Sequence, residues 1–576
     1  MSPTATCSRS LPVEPRDRDA RALDARDRHA AARRAPMRPL DIWMTAAEAA
    51  PLAQTGGLAD VVRALPRALA RRGHHVRVFL PAYGSIDRTP FRYDPEEDHL
   101  AVPVGVGRLP VRLLSRTADD GVRITLVQSE EMFARAGLYG PPGGDFPDNA
   151  RRFALLAATV ATLAARAPRT PDVLHGHDWH AALQPLLARF ATAWRGRRPG
   201  TVQTIHNMGY QGHFGWEEIA WVAPPGPVRD AVFRTEGIEY RGGINYLKAA
   251  LLYADRITAV SPRYAWEITT REGGFGLHDV AWRRGADLTG ILNGADYERW
   301  DPARDPHIPE RYDVSNLDRK ETARRALRAA FGLATGAAGV GAAAANASAA
   351  TGPAAGGGRR RGAARGTGKP RAAAAPAPMP PADGAAAAAA ARPILGVVSR
   401  LVDQKGIDIL LEASPMLMRS GADLVILGSG DRRIVDGLEN LRRIHPDRVG
   451  VYIGFNEPLS HLIVAGSDLM LVPSRYEPCG LVQMHAMRYG TVPVVHRTGG
   501  LADTVRDEDG HPGRGTGFVF EAVDPWSLAH AVHRAMILRG RQPEAWRALQ
   551  RRAMAEDFSW DRSAARYEEL YAGLAG

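Results

Sequence analysis

The feature that most restricts what this chain can fold into is a strand-then-helix grammar that runs once from Pro39 and starts afresh at Pro393. In the first run, apolar stretches at 40–44, 75–80, 122–127, 173–175, 201–205 and 256–260 alternate with helically spaced segments such as 58–72. In the second, strands are expected at 394–398, 424–427, 450–453, 469–472 and 492–495, with helices over 406–418, 457–465 and 481–489. Strands joined by crossovers of this length pair in parallel and need helices on both faces to bury them. A chain of 576 residues is also too long for one core. The pattern therefore predicts two doubly wound α/β domains in series, 38–296 and 297–555, with a closing segment at 556–576.

Two stretches stand outside that grammar. Residues 1–37 are rich in Arg, Asp and Ala and lack the apolar run of a secretory signal. Their Asp content argues against a transit peptide, so they read as a disordered extension or as sequence upstream of a start at Met37. Residues 334–392 are almost entirely Ala, Gly, Pro and Arg, with too few large apolar groups to offset their ordering entropy. They read as a disordered insertion in the second domain's first βα region. The two stretches carry nine of the eleven formal positive charges. What remains is nearly neutral, which excludes a basic nucleic-acid groove. With Cys7 and Cys479 alone, no disulfide framework is available and a reducing compartment, the cytoplasm, is expected. The longest apolar runs are strand-sized, so no membrane span is expected.

The chemistry concentrates at strand ends. One hexapeptide occurs twice, Thr55-Gly56-Gly57-Leu58-Ala59-Asp60 and Thr498-Gly499-Gly500-Leu501-Ala502-Asp503, once in each predicted domain. Paired glycines let backbone N–H groups approach a ligand, and the helix N-terminus that follows favours anions. Neither copy is a Walker A or dinucleotide fingerprint. His175-Gly-His-Asp178-Trp-His180 ends another strand; it reads as a polar wall for sugar hydroxyls in preference to a metal site. His206-Asn207 closes the next strand toward the same cleft. Arg400 and Lys405, five residues apart after the second domain's first strand, can converge on a diphosphate. Glu477, before Pro478-Cys479-Gly480, is placed to accept hydrogen bonds from sugar hydroxyls. Cys479 has no His/Asn partnership that would make it a nucleophile, so a packing or neighbouring role is expected.

Taken in order, segments 55–60, 175–180, 205–212, 248–262, 399–406, 473–480 and 497–505 resemble bacterial glycogen synthases and plant starch synthases, glycosyltransferase family five. The resemblance runs from about Leu40 to Leu574 and is interrupted by the 334–392 insertion. It implies a GT-B fold, two Rossmann-like domains with the active site in the cleft between them. It also implies transfer of glucose from ADP-glucose to the non-reducing end of an α-1,4-glucan with retention, without a metal or other cofactor. Carried onto this chain, Arg400 and Lys405 would neutralise the departing diphosphate and Glu477 would hold the glucose. Asp178, His206 and Asn207 would line the sugar and acceptor side. Asn293, Cys479 and Gly480 would lie at the pocket, and Thr498, Gly499 and Gly500 would meet phosphates and glucose. Gln54, Thr55, Gly56 and Gly57 would form the facing donor loop, and the last helix would pack back on the first domain.

One departure bears on the donor. The family usually has Lys immediately before the first Thr-Gly-Gly, where this chain has Gln54. The competing readings are a retaining GT-B enzyme using UDP-glucose or making a disaccharide, and a glucan-binding homologue that has lost catalysis. Retention of Asp178, His206, Arg400, Lys405 and Glu477 argues against the latter.

Overall fold

The computed structural model describes residues 38–93, 99–141, 143–190, 193–223, 225–334 and 391–575. The 1–37 extension and nearly all of the 334–392 insertion lie outside the described residues.

The first half contains β1 (Asp41–Thr45), β2 (His75–Pro81), β3 (Arg92–Tyr93), β4 (Leu100–Val104), β5 (Gly107–Thr117), β6 (Arg123–Gln128), β7 (Val173–His177), β8 (Gly200–Ile205), β9 (His213–Gly215), β10 (Glu239–Tyr240), β11 (Gly243–Asn245), β12 (Arg256–Ala259) and β13 (Leu288–Gly290). All but β9–β11 form a ten-stranded sheet in the order β13-β12-β8-β7-β1-β2-β6-β5-β3, with β4 on β5. From β13 to β6 the pairing is parallel; β5, β3 and β4 add an antiparallel edge. β7 and β8 are buried along their whole length, as central parallel strands covered on both faces must be. The antiparallel edge was not expected. In β4, Leu100, Val102 and Val104 face inward while Ala101 and Pro103 face out, the period-two pattern of a half-covered strand.

The second half has β14 (Ile394–Val398), β15 (Asp423–Gly428), β16 (Val449–Ile453), β17 (Leu469–Val472), β18 (Val492–His496) and β19 (Phe518–Phe520). They pair in parallel in the order β16-β15-β14-β17-β18-β19. The insertion is not inside this half's first βα unit, as expected, but precedes β14 and joins it to helix Lys320–Phe331. One guanidinium holds both ends of it: Arg328 donates to Ala334 O at 3.2 Å and to Arg392 O at 2.6 Å.

The last helix, Trp560–Ala575, returns to the first half. It buries Trp560, Ala564, Tyr567 and Tyr571, a stripe at helical spacing, against helix Gly57–Arg71 and the β7–β8 region. Tyr571 Oη lies 2.7 Å from His175 Nδ1, and Ser563 Oγ donates to Leu292 O at 2.6 Å. Among the described residues no helix is long and apolar enough to cross a membrane.

Candidate active site

Three loops of the second half leave the carboxyl ends of neighbouring strands β14, β17 and β18, where open parallel sheets bind ligands. They interlock through glycines. Gly406 has φ +65°, and a Cβ there would lie 2.0 Å from Pro473 O; one on Gly499 (φ +41°) would lie 2.0 Å from Glu477 O. Gly500 N–H donates to Glu477 O at 3.0 Å, which fixes the backbone of the carboxylate-bearing loop. The Glu477 side chain accepts from Lys405 Nζ at 2.5 Å and from Ser474 Oγ at 2.9 Å. Arg400 is exposed beside them and donates to Gln404 Oε1 at 3.1 Å.

On the facing wall, the turn after β7 places Asp178 at φ +53°, a left-handed conformation costly for a residue with a Cβ. Its Oδ1 accepts from the backbone N–H groups of His206 (2.7 Å) and Asn207 (3.3 Å) at the end of β8. Burial raises its carboxyl to about 7, against the opposing pull of those two N–H groups. His177 Nδ1 lies 3.0 Å from His206 Nε2; burial lowers His177 to about 3 and His206 well below the ordinary imidazole range. These imidazoles are neutral, so they offer hydrogen bonds without charge. The His-rich motif therefore splits. Both ring nitrogens of His175 are engaged, by Tyr571 and Thr204, whereas Asp178, His206 and Asn207 stand together at the cleft side.

The two identical hexapeptides do different jobs. In the first, Gln54, Thr55 and Gly57 are exposed, and a Cβ on Gly56 or Gly57 would meet nothing within 4 Å. Its amides are not idle: Thr55 N–H and Oγ1 each donate to the Glu48 carboxylate at 2.6 Å, and Gly56 N–H does so at 3.1 Å. Tyr139 Oη donates to Glu48 Oε1 at 2.5 Å. In the second, Gly499 and Gly500 are buried, and a Cβ on Gly500 would sit 2.1 Å from Cys479 O. In this copy the glycines let two loops cross. Gly499 N–H donates to Glu267 Oε1 at 2.9 Å, with Thr498 Oγ1 at 3.3 Å from the same oxygen. Glu48 and Glu267 were missed: each is a lone acid in a helical or apolar context, and only the fold brings it to a turn.

Cys479 is buried, and burial raises its thiol well above the ordinary range, which fits packing and not nucleophilic chemistry. Asn293 is buried beside it, with an Oδ1 that has no hydrogen-bond partner among the described residues. Gly480 takes φ +73° at the turn into helix Val482–Arg488. Gln54 Nε2 donates to Asp60 Oδ2 at 3.4 Å.

The two walls meet. Ser261 Oγ donates to Pro478 O at 2.7 Å, Arg263 N–H to Asp503 Oδ2 at 2.7 Å, and Glu267 reaches Gly499 as above. Tyr476 hydrogen-bonds the Asn207 side chain and packs its ring 5.4 Å from Phe275. Asn207 of the first wall and the Glu477 loop of the second are therefore adjacent. A polyol held between them would face the His206 imidazole and the protonatable Asp178 carboxyl on one side and a carboxylate and two cations on the other.

Two Rossmann-like halves with facing strand-end loops define a GT-B glycosyltransferase. Residues 41–283 match the model of the starch synthase catalytic domain, and residues 384–552 match that of glycosyl transferases group 1. Glycogen synthase of Anaeromyxobacter dehalogenans strain 2CP-C is 42 % identical over 549 residues, covering 93 % of this chain and 100 % of that protein. Glycogen synthase 2 of Geobacter sulfurreducens is 40 % identical, covering 92 % and 98 %. Among solved structures, the catalytic domain of starch synthase IV from Arabidopsis thaliana, bound to ADP and acarbose, superposes with a TM-score of 0.76 at 30 % identity, covering 93 % of this chain and 99 % of that one. The chain belongs to the glycogen synthase family.

Proposed function

We propose that this chain transfers glucose from ADP-glucose to the non-reducing end of an α-1,4-glucan with retention of configuration, acting in the cytoplasm and without a metal or other cofactor in the catalytic step. The observation that carries the reading is the Lys405–Glu477–Ser474 unit with Arg400 beside it, facing Asp178, His206 and Asn207 across the cleft. The starch synthase IV structure holds ADP, the group an ADP-glucose donor leaves behind.

A front-face displacement through an oxocarbenium-like transition state builds positive charge on the sugar and negative charge on the diphosphate. Arg400 and Lys405 stabilise that negative charge most when it is fully developed, which lowers the barrier and not merely the ground state. Glu477 accepts hydrogen bonds from glucose hydroxyls while its paired cation faces the phosphates. Asp178, protonated or ionised near neutral pH, can donate to or accept from a hydroxyl of glucose or acceptor. Thr55, Gly56 and Gly57 border the cleft from the first half, and Asn293, Cys479 and Gly480 shape its floor.

A second reading, UDP-glucose as donor, draws on one observation: Gln54 brings no charge to the first turn. The product distinguishes the transfer from disaccharide synthesis. Maltooligosaccharide incubated with ADP-glucose and the enzyme should lengthen, with new α-1,4 anomeric signals in its proton NMR spectrum. A free disaccharide, or β-linked product, would overturn the assignment.

A further inference from the structure

The crossover between the halves, from β13 to helix Lys320–Phe331, carries a second cluster, distinct from the residues assigned to the chemistry. Trp300 is stacked between two imidazoles of the second half, His461 at 3.7 Å and 10° and His485 at 4.1 Å and 5°. His461 is 1 % exposed, and its Nδ1 lies 2.8 Å from Asp305 Oδ2, which also accepts from Tyr489 Oη at 2.5 Å. With Nδ1 turned to Asp305, Nε2 is the ring nitrogen left to act as a ligand. That nitrogen is buried and has no hydrogen-bond partner among the described residues.

His307 and Glu457 complete the group. One ligand atom from each of His307, Glu457 and His461 lies within 4.8 Å of the others. His307 is exposed, which gives an ion a path from solvent.

We propose that His307, Glu457 and His461 bind one divalent transition-metal cation of the zinc class, pinning the crossover segment to helix Glu457–Gly466 of the second half. Two imidazoles and one carboxylate suit zinc and its borderline neighbours, whereas magnesium and calcium prefer all-oxygen sets. The donor set leaves a fourth position for water, and a carboxylate behind a ligating imidazole is the usual device for fixing its tautomer. Bonds of about 2.0 Å place tetrahedral neighbours about 3.3 Å apart, so the outer two side chains swing inward on binding.

Glu457 would then leave Arg299, its present ion-pair partner. Arg299 has an alternative: it lies 3.6 Å from Asp60 of the first hexapeptide. The cation therefore couples the crossover to the turn that borders the cleft.

The test is calorimetric titration of zinc chloride into the chelator-stripped full chain, with magnesium chloride as control. One zinc per chain is expected, weakened about tenfold or more in His307→Ala and in Glu457→Gln, each checked for an unchanged thermal melt. Cobalt(II) should give the intense visible absorption of a four-coordinate site in the wild type and lose it in His307→Ala. No zinc binding, or zinc bound as tightly by both variants as by the wild type, overturns the proposal.

Discussion

Lys405 Nζ lies 2.5 Å from Glu477 Oε2, so the cation assigned to the diphosphate and the carboxylate assigned to glucose form one hydrogen-bonded unit before any ligand arrives. The pair links the loop after β14 to the loop after β17, and Gly500 ties the second of these to the loop after β18. The donor proposed to bind here would meet a preorganised group whose geometry is set by three strand ends.

Replacing Lys405 with Ala should lower kcat by about 10²–10³-fold, the scale of removing one preorganised stabiliser of developing charge. Arg400→Ala should act similarly, with little effect on the thermal melt because Arg400 is exposed. Steady-state kinetics with circular dichroism as a fold check decide it; near-normal turnover in either variant removes that residue from the assigned role.

The two hexapeptides give opposite expectations for one substitution. Gly500→Ala would push a Cβ to 2.1 Å from Cys479 O and should cost about 1–3 kcal/mol or more. Gly57→Ala meets open space at a helix start and should be neutral or stabilising by about 0.5–1 kcal/mol. Urea denaturation measures both. If Gly57→Ala keeps its stability but raises KM for the donor, the first turn approaches the ligand as proposed; equal destabilisation by both would show that the two turns are packed alike.

Asp178 sets a pH dependence. Its folded carboxyl is raised to about 7 from an ordinary value of 3.8, chiefly by burial. Between those values the folded state binds a proton that the unfolded chain has lost, so this group's contribution to stability falls as pH rises from about 4 to 7. Asp178→Asn removes the ionisation and leaves an oxygen to accept from the His206 and Asn207 amides. It should gain roughly 2–4 kcal/mol relative to wild type at pH 8 and far less at pH 4. A stability difference independent of pH contradicts the raised carboxyl.

Ala334 and Arg392 are both held by Arg328, so the ends of the insertion lie close together. Deleting residues 338–390 and joining the ends with a short Gly/Ser link should leave glucosyl transfer intact. Shortening the loop about sevenfold should also stabilise the fold by about 1–2 kcal/mol. Loss of activity in a folded deletion variant would give the segment a part in the site.

Much of the frame was legible because parallel strands buried on both faces write themselves as apolar runs. Residues 394–398 and 469–472 form strands as expected, and 75–80 and 201–205 each lengthen by one residue. The β4–β5 edge was not legible, since it follows the alternating grammar of half-covered strands and carries Pro103 and Pro110, residues that argue against a strand. At the site, Lys405, Glu477 and Asp178 stand out in the sequence as charged groups in strand-end motifs, their roles coming from the family resemblance, and the fold brings Lys405 and Glu477 into one hydrogen bond. Glu48 and Glu267 could not, because nothing local in Ala46–Ala50 or in helix Pro262–Glu267 tells which acid will cap a distant Thr-Gly-Gly turn. Identical hexapeptides likewise gave no hint that one pair of glycines faces open space and the other a crossing backbone.

Passage of glucose from ADP-glucose to a glucan in this cleft is decided by the initial rate of incorporation into a glycogen primer, measured in parallel with ADP-glucose and with UDP-glucose. Incorporation is expected from both donors in the wild type, in favour of ADP-glucose by at least about tenfold in kcat/KM, and should be lost with either donor in Lys405→Ala. No incorporation from ADP-glucose by folded wild-type protein, or a rate that favours UDP-glucose, would contradict it.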